Sequence, residues 1–234
     1  MSKRRIELEA EVIDWLDQLS MPSFTTAAFF IGLLSLQGAL LSRPHAVQLG
    51  GKLSRLYELR FVVGLDPAGI TYWFGPRHEL VLLTVFRDAH VQRRYEVQRA
   101  REAMLRCAAG HGEGDHLLWT GLSDVRMRRP VAAELYEIAR LSYELGRTVR
   151  LARLRRDWSV PALASAAGTS ESAVVRCEAG GIPPTAPVAV RILGALGGAQ
   201  PEPRPGPRRE PRSWDPPLPS RKPRVAPAGA GEGV

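Results

Sequence analysis

Basic residues recur through the first half of the chain with a spacing that suits contact with a phosphate backbone. Glu58 and Arg60 have the i, i+2 spacing of a strand, which places both side chains on one face of a sheet. Arginine pairs with two phosphate oxygens at once, and RNA can be cleaved by a base, cations and an acid without a metal ion. The basic residues of this segment are Lys52, Arg55, Arg60, Arg77, Arg87, Arg93 and Arg94. Spacing alone leaves two interpretations open, a phosphate-binding face or a solvated sheet face with ordinary arginine–glutamate pairs.

A second group of residues, within positions 158–181, has the spacing of two short helices joined by a tight turn. Ser159 and Ser170 are suited to cap the two helices, and Gly168 permits the turn between them. This layout predicts a helix-turn-helix, whose second helix can lie in the major groove of DNA. The residues expected to contact DNA are Thr169, Ser170, Glu171, Ser172, Ala173 and Arg176.

The composition of the 234-residue chain is consistent with a polyanionic partner. The net charge is +8, which favours nucleic acid over neutral partners, although an arginine-rich composition without a binding role has the same signature. Cys107 and Cys177 lie far apart in sequence, so we expect reduced thiols in a cytoplasmic protein. The five histidines show no metal-ligand spacing with cysteine or acidic residues, and the sequence therefore predicts no zinc site, no other metal and no cofactor.

An uncharged, strongly apolar segment occupies residues 22–42 and has almost the length of a membrane span. It contains Thr25, Thr26, Ser35 and Gln37, and an acidic run precedes it, which is wrong for a signal peptide. We therefore expect a buried helix rather than a membrane anchor, and no membrane partner.

The periodicity of apolar residues predicts an α+β N-terminal domain followed by an all-α domain. The first is expected to contain two helices, a small antiparallel sheet and a third helix. The predicted elements are helices at 7–19, 24–41 and 93–107 and strands at 56–63, 70–74 and 80–86. We predict a domain over residues 1–108, a linker over 109–118, a helical region over 119–197 and a disordered Pro/Arg-rich tail over 198–234.

Three segments of the N-terminal domain carry a family resemblance: VIDWL at 12–16, GKLSRLYELR at 51–60 and LLTVF at 82–86. With them, residues 6–106 resemble the RelE/HigB-like toxins of type II toxin–antitoxin systems, especially their phage-derived branch. The resemblance implies a metal-independent endoribonuclease that cuts mRNA at the ribosome. It assigns catalytic or phosphate-binding roles to Arg60, Lys52, Arg55, Arg87 and Tyr95. The chain departs from the family in having no arginine beside Tyr72 and an acidic Asp88 after the last strand.

The helical region carries a second resemblance, over residues 147–197, to Xre/Cro-type helix-turn-helix domains. The matching residues are Leu163, Ala164, Gly168, Ser170, Val174, Arg176, Glu178 and Gly180. The resemblance implies that Glu178 pairs with an arginine of the preceding helix, Arg155 or Arg156, and has a structural role. Residues 119–126 also resemble the opening of the antitoxins that accompany these toxins.

Together these observations predict a fused type II toxin–antitoxin protein, with a ribonuclease-like domain joined to a DNA-binding autorepressor. Residues 123–156 are then expected to cover the basic sheet in an intramolecular toxin–antitoxin contact. The expected partners are operator DNA, mRNA or the ribosome, and a second copy of the chain. The alternative is a helix-turn-helix regulator whose toxin-like domain is inactive and serves interaction or dimerisation.

Overall fold

The N-terminal half of the chain is built on a six-stranded mixed sheet in the computed structural model, which describes residues 3–51, 54–86, 93–110 and 116–197. The strand order is β2-β3-β4-β5-β1-β6, in which β1 runs parallel to β5 and the other neighbours are antiparallel. The strands are β1 (Ile6–Leu8), β2 (Ala46–Gln48), β3 (Leu56–Val63), β4 (Asp66–Phe74), β5 (Leu80–Phe86) and β6 (Leu117–Leu118). The predicted α+β class is confirmed, and the predicted antiparallel strands form the β3-β4-β5 part of this larger sheet.

The described residues also form helices in both halves of the chain. They are α1 (Ala10–Gln18), α2 (Met21–Gln37), α3 (Arg93–Gly110), α4 (Trp119–Met127), α5 (Pro130–Arg155), α6 (Val160–Ala166), α7 (Glu171–Ala179) and α8 (Ala186–Gly197), with a 3-10 turn at Gly38–Leu40. The helix predicted over residues 7–19 begins only at Ala10, because Ile6–Leu8 pair with β5 as a strand. The predicted tail, 198–234, lies outside the described residues.

Each face of the sheet packs against different helices. Leu59 and Phe61 point to the face covered by α1 and α2, as their alternation with Glu58 and Arg60 predicts. Leu56 and the other residues of the opposite face pack against α3. The side chains of Glu58 and Arg60 therefore lie on the α3 side of the sheet.

Helix α2 is the apolar segment that has the length of a membrane span. Residues Met21–Leu40 are long and apolar enough to cross a membrane by length and composition, as are the core helices of many folded proteins. In this structure α2 packs between the sheet and α5, and Phe24, Phe30, Ile31 and Leu34 are fully buried. These contacts are those expected of a core helix.

The long helix α5 joins the two halves of the chain. Its 26 residues span about 39 Å. Tyr136 and Tyr143 of α5 pack their rings against Phe29 of α2, while Gly146 lies against the backbone of α7 at Cys177. The helix-turn-helix is therefore held directly against the N-terminal half, because α5 packs on α2 and on α7.

Candidate nucleic-acid interface

The ends of α6 and α7 are defined by the local signals that the sequence contains. The side-chain oxygen of Ser159 accepts a hydrogen bond from the Ala162 N–H, and that of Ser170 accepts one from the Ala173 N–H, each at 3.2 Å. Gly168 has a φ of +57° in the turn between the helices, a backbone conformation that favours glycine. These caps and this turn set the angle between α6 and α7.

A buried ion pair connects α7 to α5. Arg153 donates from Nε to Glu178 Oε1 at 2.5 Å and from a terminal nitrogen to Glu178 Oε2 at 2.7 Å. Its other terminal nitrogen donates to the Trp158 carbonyl at 2.7 Å, and the hydrogen bond to Glu178 raises the pKa of Arg153. Because Glu178 is turned towards the core, it is a structural residue rather than a DNA contact.

The partner of Glu178 differs from the prediction, which named Arg155 or Arg156. Arg155 is exposed, and Arg156 donates to the carbonyl of Leu196 on α8. Arg153 lies one helical turn beyond the buried Val149, on the face of α5 that meets α7. The prediction was wrong by less than one turn, since the packing of α5 decides which arginine points inward.

The outward face of α7 presents most of the residues that were expected to contact DNA. Ser170, Glu171, Ser172 and Arg176 are exposed, whereas Thr169 and Ala173 are half-buried. Val175 is 52% exposed on the same helix and was not among the predicted residues. Its spacing of four from Glu171 is the signal that would have included it. The resulting surface carries the Arg176 guanidinium near its last turn and Glu171 in its first turn, where the helix dipole favours an acidic side chain.

The turn between β3 and β4 lies beside this surface, a neighbour that the sequence did not indicate. Gly64 and Leu65 of the turn line a groove of about 220 Å³ together with Ala173 and Arg176 of α7. The groove continues along the segment that follows α7, where Ile182, Pro183, Pro184 and Thr185 form its other wall. Any DNA that contacts Arg176 must therefore pass close to the β3–β4 turn.

Arg60, the strongest candidate for phosphate binding in the N-terminal half, already forms an ion pair with Glu58. Its Nε and a terminal nitrogen donate to Glu58 Oε2 at 2.8 and 2.6 Å, and the Glu58 side chain is only 5% exposed. Lys52 and Arg87 lie outside the described residues. Tyr95 is 63% exposed on α3. The structure therefore does not gather these candidates into one site within the described part of the chain.

Arg55 lies instead in a cleft between α3 and the segment that precedes β3. The cleft has a volume of about 490 Å³, and Arg94 and Arg101 of α3 also line it. None of the described residues that line it is acidic, and Trp73 and Met104 form part of its floor. Arg101 was missed by sequence reasoning, although it follows Arg94 by two helical turns and thus shares its face.

The element expected to cover the basic sheet face packs elsewhere. Residues 123–156 contact α1 and α2, where Arg126 donates to the Leu19 carbonyl at 2.7 Å and its guanidinium lies 4.1 Å from the Phe24 ring centre. Arg60 faces the other side of the sheet. The expectation that residues 123–156 cover the basic face was therefore wrong, because the apolar face of α5 packs against α2.

A cluster of possible metal ligands lies at the edge of the sheet next to the end of α3. Side-chain ligand atoms of Glu9, Cys107 and His116 all lie within 4.8 Å of one another. Burial raises the pKa of the Cys107 thiol to about 11. Sequence reasoning predicted no zinc site, and it missed this cluster because Glu9 and His116 are 107 positions apart.

Comparison with known families supports the assignment of the C-terminal half. Residues 144–205 match a family described as a helix-turn-helix domain, and the described part of that match runs from the end of α5 through α8. No curated protein and no solved structure shows significant similarity to the chain. The protein therefore contains a helix-turn-helix domain, which supports a role as a DNA-binding regulator.

Proposed function

We propose that this protein is a transcriptional regulator that binds an operator near its own gene through the exposed face of α7 and represses its own expression. The observation that supports it best is the combination of a rigidly held helix with an exposed polar face. The Arg153–Glu178 pair and the Ser170 cap fix α7, while Ser172 and Arg176 project outward. A fixed helix that presents polar side chains is what direct readout of base edges needs.

The two charged residues of this face have different roles in the proposal. Arg176 supplies a guanidinium that can pair with a guanine or a phosphate, and Glu171 can accept a hydrogen bond from the amino group of a cytosine. We propose a cytoplasmic homodimer on DNA, because readers of this kind bind two half-sites about 34–36 Å apart. A footprint that spans two such half-sites would support the dimer.

The test measures binding of the purified full chain to a labelled fragment from upstream of its own gene. Arg176→Ala is expected to weaken binding roughly 5- to 150-fold, the loss of one base contact worth about 1–3 kcal/mol. The matched control is Arg129→Ala, an exposed arginine at the opposite end of α5 from α7. Equal effects of the two substitutions would show that binding is non-specific and would contradict readout by α7.

A second candidate function rests on the arginine-lined cleft of the N-terminal half. We propose it as the RNA-binding surface of a toxin-like endoribonuclease, fused to the DNA-binding half as in a type II toxin–antitoxin protein. Arg55, Arg94 and Arg101 provide cations without a neighbouring carboxylate among the described lining residues, in contrast to Arg60 with its Glu58 partner. Uncompensated arginines bind phosphate more strongly than ion-paired ones.

This second function is tested with the full chain in a translation extract that contains a labelled mRNA. Cleavage is expected with the native chain and not with the double substitution Arg55→Ala/Arg101→Ala. The exposed Arg77→Ala serves as the control. If the native chain binds its operator but leaves mRNA intact, the N-terminal half is an interaction module of the regulator, which is the alternative interpretation of the sequence.

A further inference from the structure

We propose that Glu9, Cys107 and His116 form a binding site for a zinc ion. His116 Nε2 lies 3.2 Å from Glu9 Oε1 and 3.9 Å from Cys107 Sγ. A tetrahedral zinc ion with ordinary bonds to nitrogen, oxygen and sulfur holds its ligand atoms about 3.3–3.6 Å apart. Both distances from His116 therefore lie within a few tenths of an ångström of the separations that zinc requires, and the ligand atoms of Glu9 and Cys107 lie within 4.8 Å of each other.

A fourth side chain orients the histidine. Glu7 Oε2 lies 3.0 Å from His116 Nδ1, and its other carboxylate oxygen lies 3.0 Å from Arg5 Nε. Metal-bound histidines commonly donate the second ring N–H to a carboxylate, which fixes the ring and makes the ligating nitrogen more basic. Glu7 thus holds the His116 ring so that Nε2 faces Glu9 and Cys107.

The surroundings of the cluster suit a divalent cation that is shielded but reachable. Cys107 is buried, the His116 side chain is 16% exposed, and the Glu9 side chain is the most open of the three at 33%. Zinc takes thiolate, imidazole and carboxylate ligands, a mixture that Mg²⁺ and Ca²⁺ disfavour. On binding, the thiol proton of Cys107 leaves to solvent, and a water molecule completes the four ligands.

The three ligands come from parts of the chain that meet only in the folded protein. Glu9 follows β1, Cys107 lies in the last turns of α3, and His116 directly precedes β6. A bound ion would tie the end of α3 and the start of the C-terminal half to the same edge of the sheet. We therefore expect zinc to raise the thermal stability of the full chain.

The experiment uses the tag-free full chain, with Zn²⁺ for stoichiometry and Co²⁺ as a spectroscopic substitute. Native protein is expected to retain one Zn²⁺ per chain after dialysis and to show a thiolate-to-Co²⁺ charge-transfer band. Cys107→Ser is expected to remove the band. His116→Gln is expected to weaken Zn²⁺ binding at least about tenfold. Zinc is expected to raise the Tm of the native chain.

Two substitutions provide matched controls. Cys177→Ser removes the other cysteine, which is buried in the helix-turn-helix, and His78→Gln removes an exposed histidine. Both variants are expected to keep the band and the zinc stoichiometry. The proposal is overturned if the native chain shows no thiolate band with excess Co²⁺, an outcome that does not depend on how any variant folds. It is equally overturned if the band persists in Cys107→Ser.

Discussion

Replacing Glu178 by alanine removes the counter-charge of a guanidinium that has almost no access to water. The Arg153 side chain is 7% exposed and the Glu178 side chain 5%, and two hydrogen bonds of 2.5 and 2.7 Å join them. Loss of one member of such a buried pair costs about 3–5 kcal/mol, because the remaining charge is left desolvated. In a chain of this size, that cost corresponds to a fall in Tm of roughly 6–20 °C.

The quantities measured are the urea midpoint and the Tm of the full chain, with unfolding monitored by far-ultraviolet circular dichroism. The control is Arg140→Ala, which breaks ion pairs with Glu137 and Glu144 on the solvent side of α5 and is expected to change the midpoint little. The double substitution Arg153→Met/Glu178→Leu is expected to recover much of the loss, since neither member of the buried pair is left charged. Arg150 also lies 3.7 Å from Glu178, but its side chain is 28% exposed and keeps access to water. A Glu178→Ala chain with a native midpoint would refute the ion-pair explanation. So would a double variant whose loss of stability equals the sum of the losses measured for Arg153→Met and Glu178→Leu separately.

Three further predictions concern stability in acid, helix packing and the groove between α7 and the β3–β4 turn. Burial lowers the pKa of His45 to about 4, so between pH 6.5 and 4 this histidine is protonated in the unfolded chain but not in the folded one. The free energy of unfolding should therefore fall by about 3 kcal/mol as the pH drops from 6.5 to 4. Urea midpoints at both pH values should show a weaker pH dependence in His45→Gln. Gly146→Ala places a methyl group against the Cys177 carbonyl and should cost about 1–3 kcal/mol in thermal unfolding, whereas Gly121→Ala, which meets nothing within 4 Å, should not destabilise. Leu65, in the turn beside α7, is 79% exposed. Leu65→Lys should tighten operator binding and steepen the plot of log binding constant against log salt concentration by about one released counterion. An unchanged slope of this plot would show that the turn points away from DNA.

The elements of the candidate DNA interface were predictable because their signals are local. A serine before each short helix and Gly168 between them act through hydrogen bonds and dihedral angles within a few residues. The alternation along β3 likewise assigns Leu59 and Phe61 to one face before any partner is known. These features needed no tertiary information.

Other features depend on contacts between distant segments. Ile6–Leu8 continue a helical pattern in sequence but become a strand, because β5 offers a parallel partner. The choice of Arg153 over Arg155 depends on which side of α5 meets α7. The cluster of Glu9, Cys107 and His116 exists only because β1, α3 and β6 meet at one edge of the sheet.

The sequence by itself determined the α+β and helix-turn-helix classes and the residues of α7 that could meet DNA. Only the tertiary structure decided that α5 lies on α2 rather than on the basic face of the sheet, and that the β3–β4 turn stands beside Arg176. The physical reason is that propensity, capping and periodicity act over a few residues. Which faces of the helices and the sheet pack together depends instead on the total apolar area that they bury. That area is contributed by side chains that are far apart in sequence.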